Sequence, residues 1–180
     1  MKYVRIRNLR EDRDLTQAYM GNVLNVTQKT YSRYENDERA IPVEILSKLA
    51  DFYGTSVDYL IGRTDVAKPY PPKSKKKTED FQYKIGKINS MFCAMLIFFE
   101  VIFMKYVRIR NLREDKDLTQ TYMGKLLNIS QRAYSSYENG ERAIPVEILS
   151  KLADFYGTSV DYLIGRTDVA KPYPPKLKNK

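Results

Sequence analysis

The sequence predicts an all-α protein built as two small helical domains in tandem. Three observations lead there. The chain repeats itself: shifted by 103 residues, positions 1–77 align without a gap to 104–180, and 65 of the 77 pairs are identical. Within each copy apolar residues recur three and four apart, the spacing of one helix face, and no stretch alternates like a half-buried strand. Between these stretches stand residues that start and stop helices, Thr16, Thr27 and Ser56 before them and Asn25, Gly54 and Gly62 after them. A period this long with only two copies is a domain pair and not a solenoid.

The elements of the first copy follow from the residues in order. VRIRNLRED predicts a short first helix, with Ile6 and Leu9 on one face and Arg5, Arg7 and Arg10 around them. Thr16 caps a second helix, QAYMGNVLN, in which Met20 and Leu24 are four apart. Asn25, a residue that tolerates the left-handed conformation, closes it. Thr27 caps a third helix, QKTYSRYEN, whose Tyr31 and Tyr34 face one side and are expected in the core with their hydroxyls at its rim. Asp37, or Gly140 in the second copy, ends that helix. Pro42 is expected to begin the fourth, VEILSKLADFY, because its missing N–H costs nothing there. Ile45, Leu46, Leu49, Ala50 and Tyr53 line the face of this helix, and Gly54 stops it. Ser56 caps a short fifth helix, VDYLIG. The expected division is 1–66 and 104–169 for the domains, 67–103 for a Pro/Lys-rich linker with an apolar insert, and 170–180 for a basic tail.

Composition narrows the function. The chain of 180 residues carries a net charge of +9, and each copy alone carries +5 while the insert 78–103 carries −1. Basic domains favour a polyanionic partner; four positive charges in each solvated tail contribute to the same bias. There is no His, and Cys93 is the single Cys. The usual general base, a disulfide framework and a zinc site are therefore all missing from the sequence. No Gly-rich phosphate loop or nucleophile elbow stands in the chain. A non-enzyme without metal or cofactor is expected. MKYVRIRN has no apolar signal segment, which predicts a cytoplasmic, nucleoid-associated protein.

Only about three residues join the second and third helices, the arrangement of a helix-turn-helix, whose second helix enters the DNA major groove. LTQAYMGNVLNVTQKTYSRYEND, residues 15–37, resembles the signature of the Cro/C1-type (XRE) helix-turn-helix family. The matching residues are Leu15, Thr16, Gln17, Gly21, Leu24, Val26, Thr27, Ser32, Glu35 and Asn36. The second copy matches again through Leu118, Thr119, Gln120, Gly124, Leu127, Ile129, Ser130, Ser135, Glu138, Asn139 and Gly140. PVEILSKLADFYGTSVDYL, present in both copies, is similar to the family's last two helices. The resemblance implies two five-helix, lambda-repressor-like domains. Departures are Asn25 and Asn128 for the usual turn glycine, and Gly21 and Gly124 for a mid-helix alanine. In the interior of a helix that glycine is expected to cost about 1 kcal/mol.

The resemblance also implies a site on double-stranded DNA. Gln17 and Gln120, opening the second helix of each copy, and Asn36 and Asn139 are implied backbone contacts. Arg10 and Arg113 are plausible additions, against a reading as solvated helix ends. Base readers are expected at the start and one turn into the third helix: Gln28, Lys29, Thr30 and Arg33, then Gln131, Arg132, Ala133 and Ser136. The scaffold of that helix is identical between copies, whereas Lys29/Arg132, Thr30/Ala133 and Arg33/Ser136 differ. Of the 12 differences, ten lie between positions 13 and 37 and none between 38 and 73. Altered base reading, drift at exposed sites and a conversion tract over the invariant half all fit that pattern.

The insert contains a run from Met91 to Met104 that is apolar except for Glu100. It falls short of the roughly 20 residues needed to span a bilayer, which disfavours a membrane tether. A helix covering the domains, an oligomer contact and a read-through spacer are alternatives, and an antitoxin-type interaction protein using the insert is the competing function. As a flexible coil, the roughly 40 residues between the domains span about 35 Å, close to one helical turn of DNA. One chain is thus expected to occupy two half-sites as an intrachain pseudo-dimer, or to form a higher oligomer.

Overall fold

The computed structural model describes residues 3–73 and 106–176. The apolar run and the rest of the expected insert helix lie outside the described residues. Each copy forms five helices: α1 (Val4–Glu11), α2 (Gln17–Leu24), α3 (Gln28–Glu35), α4 (Val43–Tyr53) and α5 (Val57–Leu60), then α6 (Val107–Glu114), α7 (Gln120–Leu127), α8 (Gln131–Glu138), α9 (Val146–Tyr156) and α10 (Val160–Leu163). There are no named strands among the described residues, only one isolated antiparallel bridge between Pro72 and Thr167.

Local chemistry sets the helix ends. Thr16 Oγ1 accepts the Tyr19 amide at 3.1 Å, Thr27 Oγ1 the Thr30 amide at 3.1 Å, and Ser56 Oγ the Tyr59 amide at 2.9 Å. Each such cap is worth about 1 kcal/mol. Asn25 ends α2 in the left-handed conformation at φ 56°, and Asp37 follows α3 at φ 64°. Pro42 is the N-cap of α4 rather than its first residue, with ψ 145° and the helix beginning at Val43.

The core of the first copy gathers Ile6, Met20, Leu24, Tyr31, Leu46, Leu49 and Leu60, and the same set recurs in the second. One sequence expectation changes here, and another gains a physical reason. The Tyr31 and Tyr134 hydroxyls do not reach the rim; both side chains are buried to the oxygen. Gly21, expected to cost helix propensity, sits where packing favours a glycine. A Cβ there would lie 2.9 Å from the Val26 carbonyl oxygen, and at Gly124 3.1 Å from that of Ile129. At Gly21 a methyl group would force the α2–α3 joint to shift, and at Gly124 it would meet a tight contact.

The two copies meet through α5 and α10 in a reciprocal contact. The Asp58 amide donates to Asp161 Oδ2 at 3.3 Å, and the Asp161 amide to Asp58 Oδ2 at 3.2 Å. Arg63 pairs with Asp58 and reaches Asp154 at 2.5 Å; Arg166 pairs with Asp161 and reaches Asp51 at 2.6 Å. Residue i contacting j+103 while i+103 contacts j is the pattern of an isologous two-fold interface. Tyr70 and Tyr173 stack at 4.2 Å with their planes 11° apart. Residues 67–73, read from sequence as the start of the linker, run onto the other copy. There Thr167 Oγ1 donates to the Pro71 carbonyl at 2.6 Å and the Lys73 amide to the Arg166 carbonyl at 3.1 Å.

Candidate nucleic-acid interface

α3 has one face committed to the core through Tyr31, Tyr34 and Glu35, which are all buried. With 3.6 residues per turn, Gln28, Lys29 and Arg33 are left facing out, and all three are exposed. Thr30 is half-buried, its hydroxyl 2.9 Å from that of Thr27 in the cap. Gln17, Gln28, Lys29, Ser32, Arg33 and Glu38 line an open groove of about 400 Å³. Arg33 stands 4.0 Å from Glu38, both well exposed. In the second copy Gln131 and Arg132 are exposed, Ser136 is half-buried, and Ala133 packs partly against the core.

A buried carboxylate braces this face from behind. Glu35, with no solvent exposure, accepts from Arg10 Nε at 2.7 Å and from Gln17 Nε2 at 2.9 Å. Arg10 Nη1 also donates to the Leu15 carbonyl at 2.7 Å. One guanidinium thereby ties α1, the α1–α2 turn and α3 together. Burial pushes the Glu35 carboxyl up, but the hydrogen bonds from Arg10 and Gln17, aided by the Tyr31 hydroxyl, outweigh it and hold it below the usual range. Glu138 repeats the arrangement, with Arg113 Nε at 2.8 Å and Gln120 Nε2 at 3.2 Å, and its carboxyl is likewise lowered. There the chain of bonds continues, since Gln131 Nε2 donates to Gln120 Oε1 at 3.3 Å.

Gln17, Gln28, Lys29 and Arg33 are therefore brought to one groove. Asn36 sits exposed just past α3, with Nδ2 3.4 Å from Ser32 Oγ. Arg10 and Arg113 are placed elsewhere, behind α3 with side chains only 12% exposed. Sequence reasoning missed Arg7 and Arg110, whose guanidiniums donate to Asn36 Oδ1 at 2.5 Å and Asn139 Oδ1 at 2.6 Å. Their signal was the Arg5–Arg7–Arg10 spacing, which places three cations around one short helix without saying which neighbour each meets. Among the described residues no group of acids, Cys or His is arranged to hold a metal ion. No helix among them is long and apolar enough to cross a membrane.

Comparison with known proteins fits this geometry. The helix-turn-helix family model HTH_3 matches twice, over residues 6–60 and 109–163. The chain is 32% identical over 80 residues to the uncharacterized HTH-type transcriptional regulator YobD of Bacillus subtilis, spanning 44% of this chain and 70% of YobD. It is 33% identical over 75 residues to the HTH-type transcriptional regulator AnsR of the same organism, spanning 42% of this chain and 65% of AnsR. It is 35% identical over 71 residues to the cryptic phage CTXphi transcriptional repressor RstR of Vibrio cholerae, spanning 39% of this chain and 64% of RstR. About a third of each relative's length thus lies outside the match. No solved structure matches the chain significantly. The tight α2–α3 joint, its braced third helix and the two matches to the family model together place the chain in the helix-turn-helix family of Cro/C1 type, with two copies of the domain in one polypeptide.

Proposed function

We propose that the chain is a sequence-specific double-stranded DNA-binding transcriptional regulator, a repressor, that reads two similar half-sites with α3 and α8. The observation that carries this reading is the outward face of these two helices, where cationic and amide side chains are exposed and the cationic positions differ between copies above a common buried scaffold. Phosphate contacts supply affinity and base-edge contacts supply sequence choice. Gln17, Gln120, Asn36 and Asn139 take the phosphates. Gln28, Lys29, Thr30 and Arg33, with Gln131, Arg132, Ala133 and Ser136, face the bases. Arg10 and Arg113 act through Glu35 and Glu138, holding the glutamines in place rather than meeting DNA. The boundaries 1–66 and 104–169 delimit the two reading heads, and the reciprocal α5–α10 contact gives them two-fold related orientations suited to an imperfect palindrome. Cytoplasmic, nucleoid-associated action follows from this reading.

Arg33 reaches guanine O6 and N7 from one turn into α3, whereas the Ser136 side chain is too short for that bidentate contact. A good bidentate pair discriminates by about 1–3 kcal/mol. Binding selection from a random duplex library should return a site with guanine preferred at one position of one half-site. Arg33→Ser should erase that preference, and Ser136→Arg should create it in the other half. An identical symmetric site from all three proteins overturns base reading at this position. Failure to retain any duplex in a salt-dependent manner overturns DNA binding itself.

A further inference from the structure

The contact between the copies is built around two buried acids. Asp58 and Asp161 are 1% and 2% exposed, and each accepts the other's backbone amide. The reciprocal amide bonds set the two carboxyl groups facing each other across the contact. The charges facing them come from every neighbouring element. Arg63 and Arg166, just after α5 and α10, each pair with one of the two and then with Asp154 of α9 or Asp51 of α4. From α1, Arg5 is taken up by Asp65, and from α6, Arg108 by Asp168. Tyr70 and Tyr173 close one side, and burial pushes the Tyr173 hydroxyl up to about 12. Lys73 joins Asp51, Asp161 and Arg166 around a cavity of about 490 Å³. Four carboxylates thus face two guanidiniums at the centre of the contact. Asp51 and Asp154 are more than two-thirds exposed and can be screened by solvent. Asp58 and Asp161 cannot.

We propose that docking of the two copies takes up a proton at the Asp58 carboxyl, which faces Asp161, and releases it when the copies part. Two carboxylates facing each other across a contact and shielded from water do not both ionise without a penalty. One proton removes their repulsion and leaves one negative charge between two arginines. Consistent with this, burial and the neighbouring Asp161 outweigh Arg63 and push Asp58 up to about 7. The sign follows from linkage. An acid raised on docking favours the docked form fully below its undocked value, near 4, and loses that contribution as pH rises through about 7. Within that window the docking constant falls by up to tenfold per pH unit, and above it the dependence levels off.

The structure supplies its own probe. The Asp58 and Asp161 amides lie in the first turns of α5 and α10, where no partner exists within the helix, and each is satisfied across the contact. Their hydrogen-exchange protection, corrected for intrinsic exchange, therefore reports docking. In the full-length chain it should fall by up to about tenfold per unit between pH 5.5 and 7 and flatten above 7. Asp58→Asn and Asp161→Asn each supply a permanently neutral partner. In Asp161→Asn the Asp58 amide, and in Asp58→Asn the Asp161 amide, should lose the pH slope and be better protected than wild type at pH 8. Asp51→Asn should leave the slope in place. Exchange of core amides in Leu49 and Leu152 checks that each variant is folded. Protection independent of pH in the wild type, or a slope that survives in both folded Asn variants, overturns the proposal.

Discussion

Glu35 and Glu138 are the side chains that brace the outward faces of α3 and α8 from behind. A carboxylate with no exposure is tolerated because Arg10 and Gln17 satisfy it; removing its charge strands the guanidinium. Glu35→Gln should destabilise the first domain by on the order of 3 kcal/mol, measured by thermal or denaturant unfolding. Because the folded carboxyl is held below its unfolded value, this contribution is present above the usual carboxylate range and is lost as pH falls through the lowered value. The wild type should lose melting temperature in that acid window, and Glu35→Gln should be flatter through it. Gly21 makes the opposite kind of demand. Gly21→Ala gains helix propensity but drives a methyl group to 2.9 Å from the Val26 oxygen. A net loss of about 1–3 kcal/mol is expected, and a more stable alanine variant would contradict the close approach.

At the scale of elements, the two copies form a natural mutant pair. Arg13 lies over the Tyr53 ring at 4.9 Å and donates to the Phe52 and Tyr53 carbonyls, both at 3.2 Å, at the C-terminal end of α4. The second copy has Lys116, which lacks the planar fork for two such bonds. Lys116→Arg should stabilise the second domain by about 0.5 kcal/mol, in the range of charges that complement a helix C-terminus. Position 37 runs the other way. Asp37 adopts φ 64° where the second copy has Gly140 at φ 73°. A left-handed non-glycine residue costs roughly 1–2 kcal/mol, less for Asp, whose side chain can bond locally. Asp37→Gly should therefore raise the melting temperature of the first domain, and Gly140→Asp should lower that of the second.

For the whole molecule, the distribution of differences between copies takes on a physical meaning. Asp51, Asp58, Arg63, Tyr70, Pro71 and Lys73 all belong to the block 38–73 that is identical to 141–176. A two-fold contact asks the same surface to fit itself, so a change in one copy meets a fixed partner in the other. The outward faces of α3 and α8 carry no such mutual constraint. If both bind DNA as proposed, covalent linkage raises the effective concentration of the second domain to the mM range. On the proposed reading, cleavage between residues 74 and 105 should weaken binding to a paired site at least tenfold, with little change at a single half-site. Equal binding by cut and intact chains in a gel shift would show that the connection contributes nothing.

The sequence by itself determined the helices, their ends and the pairing of domains. Caps at Thr16, Thr27 and Ser56, stops at Asn25 and Gly54 and the 3.6-residue spacing act over one or two turns, so they can be read without knowing the fold. It also determined which residues of α3 face out, because a helix with Tyr31 and Tyr34 inside must present Gln28, Lys29 and Arg33. What only the tertiary structure decided are contacts between residues far apart in the chain. Arg10 meets Glu35 across 25 positions, Arg7 meets Asn36 across 29, and Asp58 meets Asp161 across 103. From sequence Arg10 was indistinguishable from a phosphate-binding cation and Asp58 from a solvated acid, since charge alone does not say what a side chain faces. The glycine at position 21 was read only in part for the same reason. Its cost is local and legible, whereas the carbonyl that crowds any larger residue arrives from the turn that follows.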